Sequence, residues 1–364
     1  MHLDVARNFR PLEDVLRVID IMTWLRLNRL HWHLTDDEGW RIEIPALPEL
    51  TEIGARRGAG SQMPPQYADG PKGRAGFYTL AEARSVIEHA AALGIEVMPE
   101  IDMPGHMTAL LAALPDLIDP DEVPDSYRSI QGYPNNALNP ALPAVYQTVE
   151  TIIDTICDIF PSPTIHLGGD EVDHLSWQQS PAALALARAE GLGGDQITPG
   201  LQALFMRRIQ GMLAARGRIM GGWDECAEGG GVDAGNALLF AWRSPEKTAE
   251  LMRLGYDVVA SPGQAYYLDM VESTDWGAIG SSWAGAVPAR QSYEFQPAAG
   301  LPEDAPGRLV GVQAGTWSEH LNSVERWNHM VFPRLPAVAE AGWSDEAGRD
   351  WARFCAIAPL MPQL

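Results

Sequence analysis

At 364 residues the chain is too long for a small module and suits one large α/β barrel or two ordinary domains. Hydrophobic residues make up 46% and charged residues 20%, the balance expected of a globular protein with a sizeable core. Asp and Glu number 48 against 26 Lys and Arg, and a net charge of −22 repels nucleic acid and anionic lipid while favouring a neutral or cationic small substrate.

The first residues, Leu3-Asp4-Val5-Ala6-Arg7, read as a strand and carry no charged-then-apolar leader pattern. A chain that begins inside a core strand is expected to continue upstream into a leader or a whole domain, so cytoplasmic and secreted settings both fit a soluble protein. Pro11 opens a helix in which Leu12, Val15, Leu16, Ile19 and Met22 recur at helical spacing. A strand-like run follows over 28–35, then a helix over 80–93 and a strand over 96–102. Asn139-Pro140 reads as an N-cap and first helical position. Val145, Val149, Ile152, Ile153, Ile156 and Phe160 form the apolar stripe of that helix. Cys157 is placed on the same face and is expected to be a buried free thiol. With Cys226 and Cys355 it makes an odd, widely spaced set that fits neither a disulfide framework nor a zinc site. Further strands are predicted near 164–170, 218–225, 237–243, 257–261 and 309–317. Helices are predicted near 195–216 and 245–254, with a last one over 333–341. No apolar run reaches membrane-spanning length.

Strands alternating with helices predict an α/β fold with a parallel sheet, and eight such strands predict closure into a (β/α)8 TIM barrel. No linker divides 1–364, so one catalytic domain is expected. The rival, an open doubly wound sheet, needs a glycine-rich turn after its first strand, and Arg7-Asn8-Phe9-Arg10-Pro11 has none. Polar residues cluster where strands are predicted to end: Arg7, Thr35-Asp36-Asp37, Glu100-Ile101-Asp102, Asp170-Glu171, Asp224-Glu225, Trp242-Arg243 and Trp317-Ser318-Glu319. Barrels build their sites at that end. The connections 103–138 and 263–308 are long and rich in Gly, Pro and aromatics, as binding or lid loops are.

The strongest local signal is His166-Leu167-Gly168-Gly169-Asp170-Glu171-Val172. The two glycines are expected to clear space for a ligand beside the backbone. Glycosidic cleavage needs a protonated carboxyl for the leaving oxygen and a negative group against the oxocarbenium-like transition state. Neighbouring carboxyls resist ionising together, which raises one pKa and keeps an acid protonated. The same pair also suits the positive end of a helix. On the residues alone both readings stand.

His166 to Val172 resembles the signature of family 20 glycoside hydrolases, the β-N-acetylhexosaminidases. Similar in the same way are His31-Trp32-His33-Leu34-Thr35-Asp36-Asp37-Glu38-Gly39-Trp40-Arg41, Asp4-Val5-Ala6-Arg7, Glu100-Ile101-Asp102-Met103-Pro104-Gly105-His106, Trp223-Asp224-Glu225, Tyr267-Leu268-Asp269 and Trp317-Ser318-Glu319. They fall in the family's order over nearly the whole chain.

The resemblance implies a retaining, substrate-assisted removal of terminal GlcNAc or GalNAc, in which the acetamido oxygen attacks the anomeric carbon and forms an oxazolinium-type intermediate. Glu171 would be the general acid and then the base, Asp170 would hold the acetamido N–H, and Tyr267 would orient the acetamido oxygen. Trp223, Trp242 and Trp317 would wall the sugar. Arg7 would bind ring hydroxyls with Glu319, and Asp269 would take the 4- or 6-hydroxyl. Asp36, His106 and Asp102 would support Glu171 from behind. Trp276 and Trp283 would either stack on the next sugar or pack. No metal or cofactor is implied; the partner is an N-acetylhexosamine-terminated oligosaccharide, not nucleic acid or membrane, and an oligomer is compatible. Family members usually carry an α/β domain before the barrel, which this sequence does not contain. Ala6 and Asn8 stand where Ser and His are expected, a change of packing more than of chemistry.

Two other functions fit parts of the pattern. His31 and His33 share a strand face and, with His106, His166 and Asp170, suggest a metal-dependent barrel hydrolase. Histidines that precede the strand ends read better as buried, hydrogen-bonded side chains. A catalytically silent sugar-binding barrel is the other alternative, and it has no use for the acid.

Overall fold

The computed structural model describes residues 1–66 and 69–364. Eight strands form one sheet in sequential order: β1 His2–Asp4, β2 Arg29–His33, β3 Glu96–Glu100, β4 Thr164–His166, β5 Ile219–Trp223, β6 Ala237–Ala241, β7 Asp257–Ala260 and β8 Leu309–Val312. The pairs β3–β4, β4–β5 and β7–β8 are parallel. This is a mixed α/β fold with a parallel sheet, as the alternating pattern predicts.

The strands sit where expected but stop earlier. Asp4 ends β1 because its Oδ1 accepts the backbone N–H groups of Ala6 (2.8 Å) and Arg7 (3.1 Å), turning the chain. Arg7 therefore lies beyond the strand and does not close it. After β4, Gly168 and Gly169 adopt φ of +65° and +90°, which a strand cannot continue. Arg7 and the Asp170-Glu171 pair thus stand past the strand ends, whereas Glu100 is the last residue of β3.

The residues group into two compact units. The first comprises Met1–Trp32, Ser85–Val97 and Leu239–Leu364. Here His2 N–H donates to Ala314 O (2.8 Å), Asp4 N–H to Thr316 O (3.3 Å) and His31 N–H to Met1 O (2.8 Å). The helix Arg334–Trp343 buries most of its length. A further helix, Trp351–Ile357, follows the one expected to be last.

The second unit comprises His33–Arg84 and Met98–Leu238. Its helix Pro143–Ile159 buries Val145, Val149, Ile152, Ile153 and Ile156, the stripe read from the sequence. Each such side chain contributes about 2–3 kcal/mol by leaving water. The helix begins at Pro143, not Pro140, because Asn139 Oδ1 accepts the Ala141 N–H and holds a turn first. Cys157 lies beside the stripe and is only half-buried; Cys226 is buried and Cys355 exposed, all three free. Trp177, Ala183, Ala187 and Leu201 form a core with Tyr127 and Ala137 of the long loop after β3. No helix among the described residues is long and apolar enough to cross a membrane.

Candidate active site

In the second unit, charged residues occupy strand positions that would otherwise be core. His33 ends β2, Glu100 ends β3 and His166 ends β4, all fully buried. Such groups persist only when paired. Glu100 Oε2 meets His33 Nδ1 at 2.5 Å, and Glu100 Oε1 lies 2.9 Å from His166 Nδ1 and accepts the Trp223 indole N–H at 2.9 Å. Trp223 is thereby fixed edge-on to His166.

His33 Nε2 continues to Asp36 Oδ2 (2.8 Å), and Asp36 Oδ1 to His106 Nδ1 (3.0 Å). The far nitrogen of that ring, Nε2, lies 3.7 Å from Glu171 Oε2 and 3.9 Å from Asp170 Oδ2. Carboxyl and imidazole thus alternate from the core to the Asp170-Glu171 pair. Asp37 takes a different task from its neighbour: it accepts from Thr108 Oγ1 (2.6 Å), Thr108 N–H and Asn136 Nδ2, and ties down the long loop.

The loop geometry corrects one expectation. The room at Gly168 and Gly169 is taken by protein: a Cβ at Gly168 would stand 1.6 Å from Asp102 Oδ1, and one at Gly169 2.4 Å from Cys226 Sγ. These glycines let Asp102 and Cys226 pack under the turn, and Asp102 Oδ1 accepts the Gly169 N–H (3.3 Å). Glu171 itself holds φ +51°, a strained value for a non-glycine residue of the kind that gathers at functional sites. No helix starts at the pair; the next begins at Pro181. The helix-dipole reading of the two carboxyls therefore fails.

The protonation pattern follows from burial. Burial, reinforced by Asp102 and opposed by His106, pushes the Asp170 carboxyl well above its usual range. Burial also raises Asp102, against the pull of His106 and with the push of Glu100 and Asp36, to about 8. Burial alone would lower His106, but Asp36, Asp102 and Asp170 outweigh it and hold the imidazole well above its ordinary value. His33 follows the same balance, with Glu100 and Asp36 overriding burial. The surroundings thus raise Asp170 and Asp102 together. Asp170 Oδ1 is buried and has no hydrogen-bond partner among the described residues.

In the first unit, aromatic rings gather around Tyr267. A short helical turn, Gly263–Tyr266, follows β7 and delivers Tyr267, whose backbone bridges Gly315. Gly315 is needed there: a Cβ would stand 3.0 Å from the Tyr267 ring. Trp242 lies parallel to Tyr267 with centroids 6.3 Å apart, and Trp317 is tilted against it at 5.9 Å. Trp283 stands perpendicular to both Trp242 (5.4 Å) and Tyr267 (5.8 Å) and is 53% exposed. Packing and open surface therefore coexist at Trp283, whereas Trp276 is fully exposed.

Arg7 lies over Trp317, 5.1 Å from its centroid, with Nη1 3.6 Å from Asp4 Oδ2. That same Asp4 oxygen accepts the Ser318 N–H (2.9 Å), so Asp4 holds the Arg7 turn beside the segment that carries Glu319. Asn8, where the resemblance expects His, donates Nδ2 to Ser318 O at 2.6 Å. Asp269 is buried, and burial together with the Glu319 charge raises its pKa well above the usual range.

Several carboxyl and imidazole atoms of the second unit lie within 4.8 Å of one another, among them Asp36, Asp37 and His106, and Asp102, His106 and Asp170. Hydrogen bonds already engage both nitrogens of His33 and both oxygens of Asp36. His31, in the first unit, directs Nδ1 to Gln313 Oε1 (2.9 Å). The His31-x-His33 pair thus reads as buried structural histidines. His33, Glu100, Asp37 and Asp4 all fall inside motifs quoted from the sequence, but the resemblance assigns none of them a role in the sugar site. The signal that marks them is a charged residue at a core position of an apolar strand or its end.

Residues 1–346 match the model of glycosyl hydrolase family 20, catalytic domain. The chain belongs to glycosyl hydrolase family 20. It is 40% identical to a beta-hexosaminidase of Vibrio furnissii, over 94% of this chain and 56% of the relative, and 31% identical to a beta-N-acetylhexosaminidase of Cellulomonas fimi, over 97% and 64%. Among solved structures it resembles a family 20 exo beta-N-acetylglucosaminidase from Vibrio harveyi in complex with N-acetylglucosamine, with TM-score 0.91 and 40% identity over 98% of this chain and 55% of that one. An N-acetyl-beta-hexosaminidase of Streptomyces plicatus in complex with thio-NAglucal gives 0.79 and 32% over 98% and 66%. This family 20 chain therefore spans little more than half the length of these two Vibrio proteins.

Proposed function

We propose that this chain is the catalytic part of a retaining exo-β-N-acetylhexosaminidase, releasing terminal non-reducing GlcNAc or GalNAc from oligosaccharides through an oxazolinium intermediate. Asp170 carries the reading. A buried carboxyl oxygen left without a protein donor costs about 1–3 kcal/mol, and a substrate acetamido N–H is the donor that offsets it. Next to it, Glu171 has a side chain 27% exposed, open to a leaving-group oxygen yet within reach of His106. Glu171 protonates that oxygen and then activates water; His106 and Asp36 hold its proton inventory, with Asp102 fixing the turn from below. The sugar supplies its own nucleophile, so neither carboxyl has to reach the opposite face of the ring.

Tyr267 donates to the acetamido oxygen, and Trp223, Trp242 and Trp317 confine the acetamido group and sugar face, which converts an internal attack into a high effective concentration. Arg7 and Glu319 bind ring hydroxyls, and Asp269 takes the 4- or 6-hydroxyl. The sheet is proposed to close as a (β/α)8 barrel through the His2–Ala314 and Asp4–Thr316 hydrogen bonds, with 1–364 as one catalytic domain whose strands β2, β3 and β6 each run from one unit into the other. No metal enters the reaction.

A nitrophenyl N-acetylglucosaminide tests the reading. The expected result is turnover with retained anomeric configuration, resistance to chelators, competitive inhibition by a thiazoline mimic of the intermediate, and poor hydrolysis of the matching glucoside. A trapped covalent glycosyl adduct on a side chain, or inverted product, would overturn it. Binding without turnover would leave a sugar-binding module.

A further inference from the structure

We propose that Arg334 is a positioning residue, whose guanidinium sets how Tyr267 and Asp269 are presented to the sugar and anchors the loop that bears Trp283. The inference rests on the roles proposed above for Tyr267 and Asp269. Arg334 opens the helix Arg334–Trp343 and is fully buried. A buried guanidinium is tolerated only when its N–H groups are met. Here they meet backbone carbonyls in a fan: Nη2 donates to Leu268 O (2.6 Å), Nη1 to Met270 O (2.7 Å) and Val287 O (3.2 Å), and Nε to Met330 O (2.8 Å). Glu272 Oε1, 3.2 Å from Nε, supplies the counter-charge.

The choice of carbonyls matters. Those of Leu268 and Met270 bracket Asp269, and the carbonyl of Asp269 itself accepts the Ser281 N–H at 2.8 Å. The peptides on either side of Asp269 are thus gripped by Arg334, and its own by Ser281. The third carbonyl, Val287 O, lies at the far end of the loop. Val271 N–H to Ser281 O and Val287 N–H to Val271 O, both 2.8 Å, knit the same base together. Gly280 permits the close approach, since at φ +135° its Cβ would stand 2.5 Å from Asp269 O. The segment between these anchor points carries Trp276 and Trp283. One side chain therefore anchors both the turn that holds Tyr267 and Asp269 and the loop that brings Trp283 against Tyr267. A planar fork with five donors meets such a fan; a lysine keeps the charge and loses the fan.

The test uses Arg334→Lys, Arg334→Met and Gly280→Ala in the whole chain. Three readouts are taken: thiazoline inhibition constant, kcat and KM on the nitrophenyl substrate, and amide hydrogen exchange over 268–287. For the folded Lys variant we expect kcat about tenfold lower, the inhibition constant raised by a similar factor, and faster exchange confined to 268–287. The Met variant should lose more, and Gly280→Ala, which disturbs the same base without touching Arg334, should shift the inhibition constant in the same direction. A purely structural role would reduce the active fraction and Vmax while leaving the inhibition constant unchanged. An unchanged inhibition constant and unchanged exchange in folded Arg334→Lys would overturn the proposal. If the unsubstituted protein neither cleaves the substrate nor binds the thiazoline, the functional reading fails on its own; faster exchange in the Lys variant would then still support the anchoring.

Discussion

The two groups of candidate site residues are built from opposite materials. In the second unit, imidazoles and carboxyls at most 1% exposed run from Glu100 to His106, each fixed by a charge-assisted hydrogen bond. In the first, aromatic rings surround Tyr267 at centroid distances of 5.8 to 6.3 Å, and Trp283 keeps half its surface open. Hydrogen-bonded charges fix protonation and tolerate little change. Packed rings fix shape and tolerate more. Substitutions in the charged group should therefore alter the reaction, and those of the tryptophans around Tyr267 the fit of the sugar.

The sharpest way to break that contrast is Glu171→Gln. Loss of the general acid should lower kcat by about a thousandfold on N,N′-diacetylchitobiose, and less on nitrophenyl substrates, whose leaving group needs little protonation. Because kcat also contains the water-activating step, kcat/KM decides: an equal loss of kcat/KM on both substrates would show that Glu171 does not donate the proton.

Asp170→Asn comes next. We expect kcat to fall about a hundredfold, because the acetamido N–H and the positive charge that develops beside it lose the carboxyl that faces them. The same change removes a carboxyl held against its preference to ionise, so thermal stability at neutral pH should rise. Lower stability together with normal turnover would invert the roles assigned here. Tyr267→Phe, in the aromatic group, should cost about tenfold in kcat, the worth of one hydrogen bond to the attacking oxygen.

The sequence carried the outline of both groups unevenly. Strand positions were legible because apolar runs alternate with helical spacing, as in Val145 to Ile156. Strand ends were not, since what stops β1 is a side chain, Asp4, folding back onto Ala6 and Arg7. The Asp170-Glu171 pair, His106 and Asp36 emerged from motif resemblance. Arg334 lies in no motif, and the motifs that hold Glu100 and His33 give them no task, because the partners that explain them lie far off in the chain: Glu100 meets Trp223 across 123 residues, His33 meets Glu100 across 67 and Arg334 meets Leu268 across 66. A charged residue inside an apolar strand announces that a partner exists without naming it. The two glycines before Asp170 misled for a related reason, since residues distant in sequence, Asp102 and Cys226, fill the space they leave.

Asp102→Asn tests the electrostatic side of the contrast by stability alone. The native carboxyl keeps its proton up to about 8, whereas in the unfolded chain it releases it near 3.8. Between those values the native state binds more protons, so stability falls as pH rises through this window. Asparagine still offers an oxygen to the Gly169 N–H and cannot ionise. The variant should therefore gain several kcal/mol over the wild type near pH 8, on the order of 5 for a window of this width, and nothing below pH 4. Urea unfolding at several pH values measures it; parallel profiles would mean that Asp102 carries no such strain.

Trp283→Ala probes the aromatic group where the expected effect is smallest. The ring stands perpendicular to Trp242 and Tyr267, and about half of its surface stays exposed, which offers contact to a second sugar. Removing it should raise KM for N,N′-diacetylchitobiose about fivefold, a loss of about 1 kcal/mol that is typical of an aromatic–sugar contact of this size. The nitrophenyl substrate should respond less, because its flat ring gains less from the lost face than a full pyranose does. A fall in kcat of the same size on both substrates would instead assign Trp283 to holding Tyr267 upright. The aromatic group would then be as rigid a part of the chemistry as the charged one.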